Sequence, residues 1–174
     1  MKRYFFITDP RRENPNPGDI FIGKGIEYLI RESEDEQIIA NYLNIFNPEE
    51  SHWERAYLEA DAIILCGTPN FNKDGKSHIF NLLPFIEKAK CRKVALWVGS
   101  GFSSDKYTEE QAISRLYKTN KHWLEEYGRI FNLIVVRDNI TKKLFDKVNV
   151  KTTQLCDSVF FASDYYEVVN KNPE

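Results

Sequence analysis

Short apolar runs that end on a glycine or a polar turn, each followed by a longer amphipathic stretch, constrain this chain more than any other feature. Asp61–Cys66 (DAIILC) runs into Gly67, and Lys93–Val98 (KVALWV) runs into Gly99-Ser100-Gly101. Continuous apolar runs this short suit strands buried on both faces of a parallel sheet. Arg3–Thr8 (RYFFIT) and Leu133–Arg137 (LIVVR) have the same form, and Gln37–Ile45 and Val150–Leu155 supply two weaker strands. Between the runs the spacing turns helical. Ile22, Ile26, Leu29 and Ile30 share one helical face, as do Ile79, Leu82, Leu83 and Ile86, with Pro84 as a kink or late start. Ile113, Leu116, Tyr117, Leu124 and Tyr127 mark a long helix, and Ile140, Leu144 and Phe145 a short one. The tail after Phe161 is polar and weakly patterned. This alternation predicts an α/β fold: one doubly wound, Rossmann-like domain over residues 1–174, with a mostly parallel sheet of about five or six strands and helices on both faces.

Composition narrows the partners. The 174 residues carry 24 Lys+Arg against 26 Asp+Glu, a formal charge of −2. No global basic field therefore draws in nucleic acid or an anionic membrane, and neither is expected as a partner. A hydrophobic share of 42% with 29% charged residues excludes general disorder. Cys66, Cys91 and Cys156 are odd in number and far apart, which fits reduced thiols and a cytoplasmic location rather than a disulfide framework or zinc knuckle. The apolar run after Lys2-Arg3 is shorter than the roughly 7–15 residues of a signal-peptide core. No stretch reaches the roughly 18 apolar residues of a membrane span.

In an open parallel sheet, ligands bind beyond the carboxyl ends of the strands. Four punctuated segments fall there: Asn14-Pro15-Asn16-Pro17-Gly18-Asp19, Gly67-Thr68-Pro69-Asn70-Phe71-Asn72, Gly99-Ser100-Gly101-Phe102-Ser103-Ser104, and Arg137-Asp138. Glycines let main chain approach a ligand, and helix N-termini offer free N–H groups to anions. Any one such loop is also what an ordinary α/β turn looks like; four together favour a polar ligand site. Gly18–Lys24 (GDIFIGK) matches the spacing of a mononucleotide P-loop, but Gly25 stands where the magnesium-binding Ser or Thr is needed. Gly99-Ser100-Gly101 lacks the third glycine of a dinucleotide fingerprint. His52, His78 and His122 have no metal-ligand spacing with one another or with the cysteines, so no metal is expected. His78, after the polar segment 72–77, is the one histidine placed toward the presumed cleft, against a purely structural role. No cofactor is called for.

The ordered set of loops resembles the polysaccharide pyruvyl transferase family. Asn16-Pro17-Gly18-Asp19 before an Ile-rich helix is similar to its N-x-G-D opening. Ala60–Pro69 resembles its strand ending in a glycine pair, with Thr68 in place of the second glycine. Leu96–Gly101 is similar to the next strand and glycine turn. Val135–Leu144 resembles its V-R-D-x-x-S/T-x-x-x-L segment, and Cys156-Asp157-Ser158-Val159-Phe160 its D-x-A-F-like stretch. The resemblance implies transfer of the enolpyruvyl moiety of phosphoenolpyruvate to a sugar hydroxyl, in a cleft between two Rossmann-like halves. Only the first half is matched here, so a second α/β half or a homo-oligomer would complete the cleft. That chemistry needs cations for a carboxylate and a phosphate, and a group to manage protons. Arg137 is the candidate anion clamp, and Asp19 and Asp138 the candidate catalytic groups. Asn16, Gly18, Gly67, Thr68, His78, Gly99, Ser100 and Gly101 are the further ligand-binding candidates. Either aspartate could instead cap the helix after it, and Arg137 could pair with one of them. The partner expected is a small anionic or sugar ligand. Two alternatives stand beside the transferase: a non-catalytic ligand-binding or interaction module with the same half-fold, and a small flavodoxin-like enzyme acting on nucleotides.

Overall fold

The computed structural model of the protein describes residues 1–8, 17–35, 37–44, 58–69, 94–99 and 107–171. The helix expected around Ile79–Ile86 lies outside them. In chain order the described elements are β1 (Lys2–Thr8), α1 (Pro17–Ser33), β2 (Ile38–Asn44), β3 (Ala62–Pro69), β4 (Val94–Gly99), α2 (Glu109–Ile130), β5 (Leu133–Val136), α3 (Asn139–Asp146) and β6 (Thr153–Gln154). A 3₁₀ turn (Ser158–Phe161) then leads into α4 (Ala162–Lys171).

The strands form one sheet in the order β2-β1-β3-β4-β5-β6, with every neighbouring pair parallel. Registers such as Phe6↔Tyr42, Phe6↔Ile64, Leu65↔Leu96 and Leu96↔Ile134 align the apolar runs across it. The pleat then sorts the side chains. Phe5, Ile7, Ile63, Leu65, Ile134 and Val136 join one cluster with Ile113, Leu116, Leu124 and Tyr127 of α2 and Leu144 and Phe145 of α3. Phe6, Ile64, Cys66 and Val135 face the other way and pack on Ile22 and Ile26 of α1. Helices therefore cover both faces. The strand order reverses between β1 and β3, and one constant crossover hand then puts α1 opposite α2 and α3.

Local sequence explains the helix ends. Thr108 caps α2 and forms a capping box: Gln111 donates its N–H to Thr108 Oγ1 at 3.3 Å, and Thr108 N–H donates to Gln111 Oε1 at 3.0 Å. The buried stripe Ala112, Ile113, Leu116, Asn120, Leu124 and Tyr127 then follows a 3.6-residue period.

The segment after Phe161, read from sequence as a polar and weakly patterned tail, is α4. It lies on α1, where the Phe21 and Tyr166 rings meet edge-on with centroids 6.1 Å apart. Its contact stripe is aromatic and polar, which hides it from a search for aliphatic periodicity. The same junction holds a carboxylate that is only 1% exposed, Glu27. Lys24 donates to it at 3.1 Å, Arg31 at 2.7 Å and the Tyr42 hydroxyl of β2 at 2.6 Å. Lys24 also donates to Tyr165 of α4 at 3.0 Å and sits over the Tyr42 and Tyr165 rings, 4.1 and 4.6 Å from their centroids. Burial pushes the Glu27 carboxyl up, but the hydrogen bonds from Tyr42 and Arg31 and the charge of Lys24 outweigh it, leaving it below the usual carboxylate range. Burial and the Glu27 carboxylate together push the Tyr42 hydroxyl well up. A buried charge needs this many donors to be tolerated.

Candidate functional site

The carboxyl edge of the sheet gathers most of the described candidates. β1 ends at Thr8, which is buried, and α1 opens beyond it with Pro17, Gly18 and Asp19 in its first turn. β3 does not stop at Cys66 as its apolar run suggests. A register shift between Cys66 and Pro69 carries it on through Gly67 and Thr68 until Pro69 pairs with Gly99, the last residue of β4. The bulge thus places Gly67, Thr68 and Gly99 on adjacent strand ends rather than in free turns. On the next strand Val98 pairs with Val136, so Gly99 and Arg137 each stand one residue past that pair. Of Asp19 and Thr68 only the main chain is described, and Asn16, His78, Ser100 and Gly101 lie outside the described residues.

Gly18–Lys24 is continuous helix within α1, so its P-loop spacing forms no phosphate-cradling loop. Gly25 has a different use. A Cβ on it would fall 1.7 Å from the Ser158 carbonyl oxygen, so only glycine lets the 3₁₀ turn lie this close to α1. Ser158 is fully buried there and donates its hydroxyl to the Ile22 carbonyl at 3.0 Å.

Arg137 and Asp138 take separate roles. Asp138 is the N-cap of α3: one carboxylate oxygen accepts from the Thr141 N–H at 2.7 Å and the other from the Thr141 hydroxyl at 2.9 Å. Arg137 pairs instead with Asp157. Its Nη1 donates to Oδ2 of Asp157 at 2.5 Å, with both side chains mostly covered. The other Asp157 oxygen accepts from the Val159 N–H at 3.2 Å and caps the 3₁₀ turn. In the sequence Asp157 stands only as part of the 156–160 stretch, with no role of its own. Its signal was an acidic residue placed to cap a turn, but the arginine partner 20 residues earlier is visible only in the fold. The buried Glu27 was missed too, although it flanks the Ile22–Ile26–Ile30 stripe.

Burial pushes the Cys66 thiol up, so it is an inert core group, whereas Cys156 is exposed. His122 is exposed on α2 beside the Trp123 ring, with centroids 5.0 Å apart. Among the described residues no group of three metal-ligating side chains comes together, and no helix is long and apolar enough to cross a membrane.

A parallel sheet covered by helices on both faces, with glycine main chain and an arginine at its carboxyl edge, defines an α/β protein. The family model for polysaccharide pyruvyl transferase matches residues 16–173, and the chain belongs to that family. No curated protein and no solved structure matches it significantly.

Proposed function

We propose that this pyruvyl transferase-like domain binds phosphoenolpyruvate at the carboxyl edge of its sheet and transfers the pyruvyl group to a sugar in polysaccharide synthesis. The observation that carries the reading is Arg137. It follows β5 directly beside Gly99, and its Nε and Nη2 have no partner among the described residues. Those two donors form the edge of a guanidinium that matches a carboxylate or phosphate in a two-point clasp. Glycine main chain at Gly67 and Gly99 leaves room beside it for an anionic group to approach. The free thiols Cys66 and Cys156 support a reducing, cytoplasmic setting.

A second reading is favoured by Asp138. Both of its oxygens are engaged by Thr141 as the cap of α3, which ties the carboxylate to a structural role. The chain would then bind the anion without transferring it unaided, and a second α/β half or another copy would bring the proton-handling group. Phosphoenolpyruvate at millimolar concentration is expected to raise the melting temperature, and Arg137→Ala to abolish the rise. No rise with the unaltered protein refutes both readings. Turnover of a sugar acceptor by this chain alone refutes the second.

A further inference from the structure

We propose that Asp157 is a positioning residue, which holds the Arg137 guanidinium in one orientation so that its free edge is ready for an anion. The inference rests on the reading of Arg137 as an anion clamp. Asp157 touches no ligand in this account; it acts through the arginine.

The geometry has three parts. Asp157 meets Arg137 through a single nitrogen, Nη1, at 2.5 Å, and so leaves the Nε/Nη2 edge complete. Its own carboxylate is fixed by the other oxygen, which accepts from the Val159 N–H at 3.2 Å. The turn that supplies this N–H is itself anchored. Ser158 is fully buried and bonded to the Ile22 carbonyl of α1 at 3.0 Å, and its carbonyl rests where Gly25 has no side chain. The Asp157 carboxylate therefore cannot follow the guanidinium; it dictates where the guanidinium sits.

Two effects of the pair oppose each other at an anion site. The carboxylate offsets part of the positive charge that attracts the ligand. It also removes the rotamer freedom that a long side chain would otherwise lose on binding. Asp157 bonds to Nη1, the nitrogen opposite the Nε/Nη2 edge, so its charge lies away from an incoming anion, whereas the ordering acts on the whole guanidinium. The balance falls on positioning, and the loop from β6 to α4 thereby becomes part of the site through Arg137.

The test uses the full chain, with Arg137 observed through its guanidinium resonances in arginine-labelled protein and assigned from Arg137→Ala. Asp157→Asn keeps the cap, because Asn serves at that position as well as Asp. It should leave the melting temperature of the free protein nearly unchanged while Arg137 shows fast guanidinium rotation. Affinity for phosphoenolpyruvate should fall about tenfold, the lower end of what removing an orienting partner costs a metal-binding side chain. In the Arg137→Ala background the same change should have no effect, since a role through the arginine vanishes with it. Should Asp157→Asn fail to fold, Asp157→Ser, which also caps, takes its place. Unaltered guanidinium rotation, or an affinity equal to or above that of the unaltered protein, overturns the proposal. Every variant is also titrated with inorganic phosphate. Phosphate binding without phosphoenolpyruvate binding overturns the donor reading alone, and Asp157 is then judged by the phosphate cycle. Binding of neither overturns both.

Discussion

Gly25→Ala sets helix propensity against packing, and the two predict opposite signs. Inside a helix alanine is favoured over glycine by about 1 kcal/mol, so propensity alone predicts a more stable protein. The structure places the new Cβ 1.7 Å from the Ser158 carbonyl oxygen and 2.6 Å from its carbon, where ordinary contact begins at 3.4 Å. The obstacle is main chain in a capped turn, so no side-chain rotation relieves it. The turn must retreat, and retreat separates the buried Ser158 hydroxyl from the Ile22 carbonyl. Stranding a buried polar group costs about 1–3 kcal/mol. Repacking the displaced turn against α1 costs about 1–3 kcal/mol more. After the propensity gain the expected loss centres near 3 kcal/mol. For a chain of this length that lowers the melting temperature by roughly 6–12 °C. Thermal unfolding followed by circular dichroism reads it, with Ser114→Ala on the exposed face of α2 as the control for propensity without a clash. Gly25→Ala with a melting temperature at or above the unaltered protein's would refute the packing of the turn on α1.

Other perturbations separate the remaining roles. The Glu27 carboxyl lies below its ordinary value of 4.5, so its contribution is complete above that pH and fades as the pH falls through the lowered folded value. Urea midpoints at about pH 6 and about pH 3 should therefore fall further for the unaltered protein than for Glu27→Gln, and parallel falls would exclude Glu27 as the source. Asp138→Ala should cost about 1 kcal/mol through loss of the α3 cap, while Asp138→Asn should be nearly neutral in a thermal melt. If Asp138 handles a proton in turnover, Asp138→Asn stops product formation in an acceptor assay while leaving that melt unmoved; unchanged turnover assigns it to capping alone.

The α/β architecture was legible because parallel strands buried on both faces leave short apolar runs, and β1, β3, β4 and β5 each kept that form. Their ends were less so. β3 runs through Gly67 because pairing with β4 resumes after a bulge, and no local residue announces that. β6 shrank from the expected 150–155 to Thr153–Gln154, since only those residues pair with β5. α4 was invisible because its face is Ala162, Tyr165 and Tyr166, whose partners Lys24 and Phe21 lie on α1. In the site, the sequence placed Arg137 at a strand end and offered capping as one role for Asp138. The actual partner of Arg137 depends on where the chain returns after β6, which spacing does not encode.

That return has a consequence for how the protein comes to be folded. The contacts that finish the outer side of α1, Ser158 to Ile22 and Tyr165 to Lys24, span 136 and 141 positions of sequence. During synthesis α1 emerges early, with Gly25 uncovered and Lys24 short of one hydrogen-bond partner, long before residues 158–171 leave the ribosome. Contacts this distant are slow to form because loop closure precedes their reward. The first helix is thus completed among the last steps, and a nascent chain stalled before Ser158 would expose an apolar, partly charged seam to chaperones and proteases.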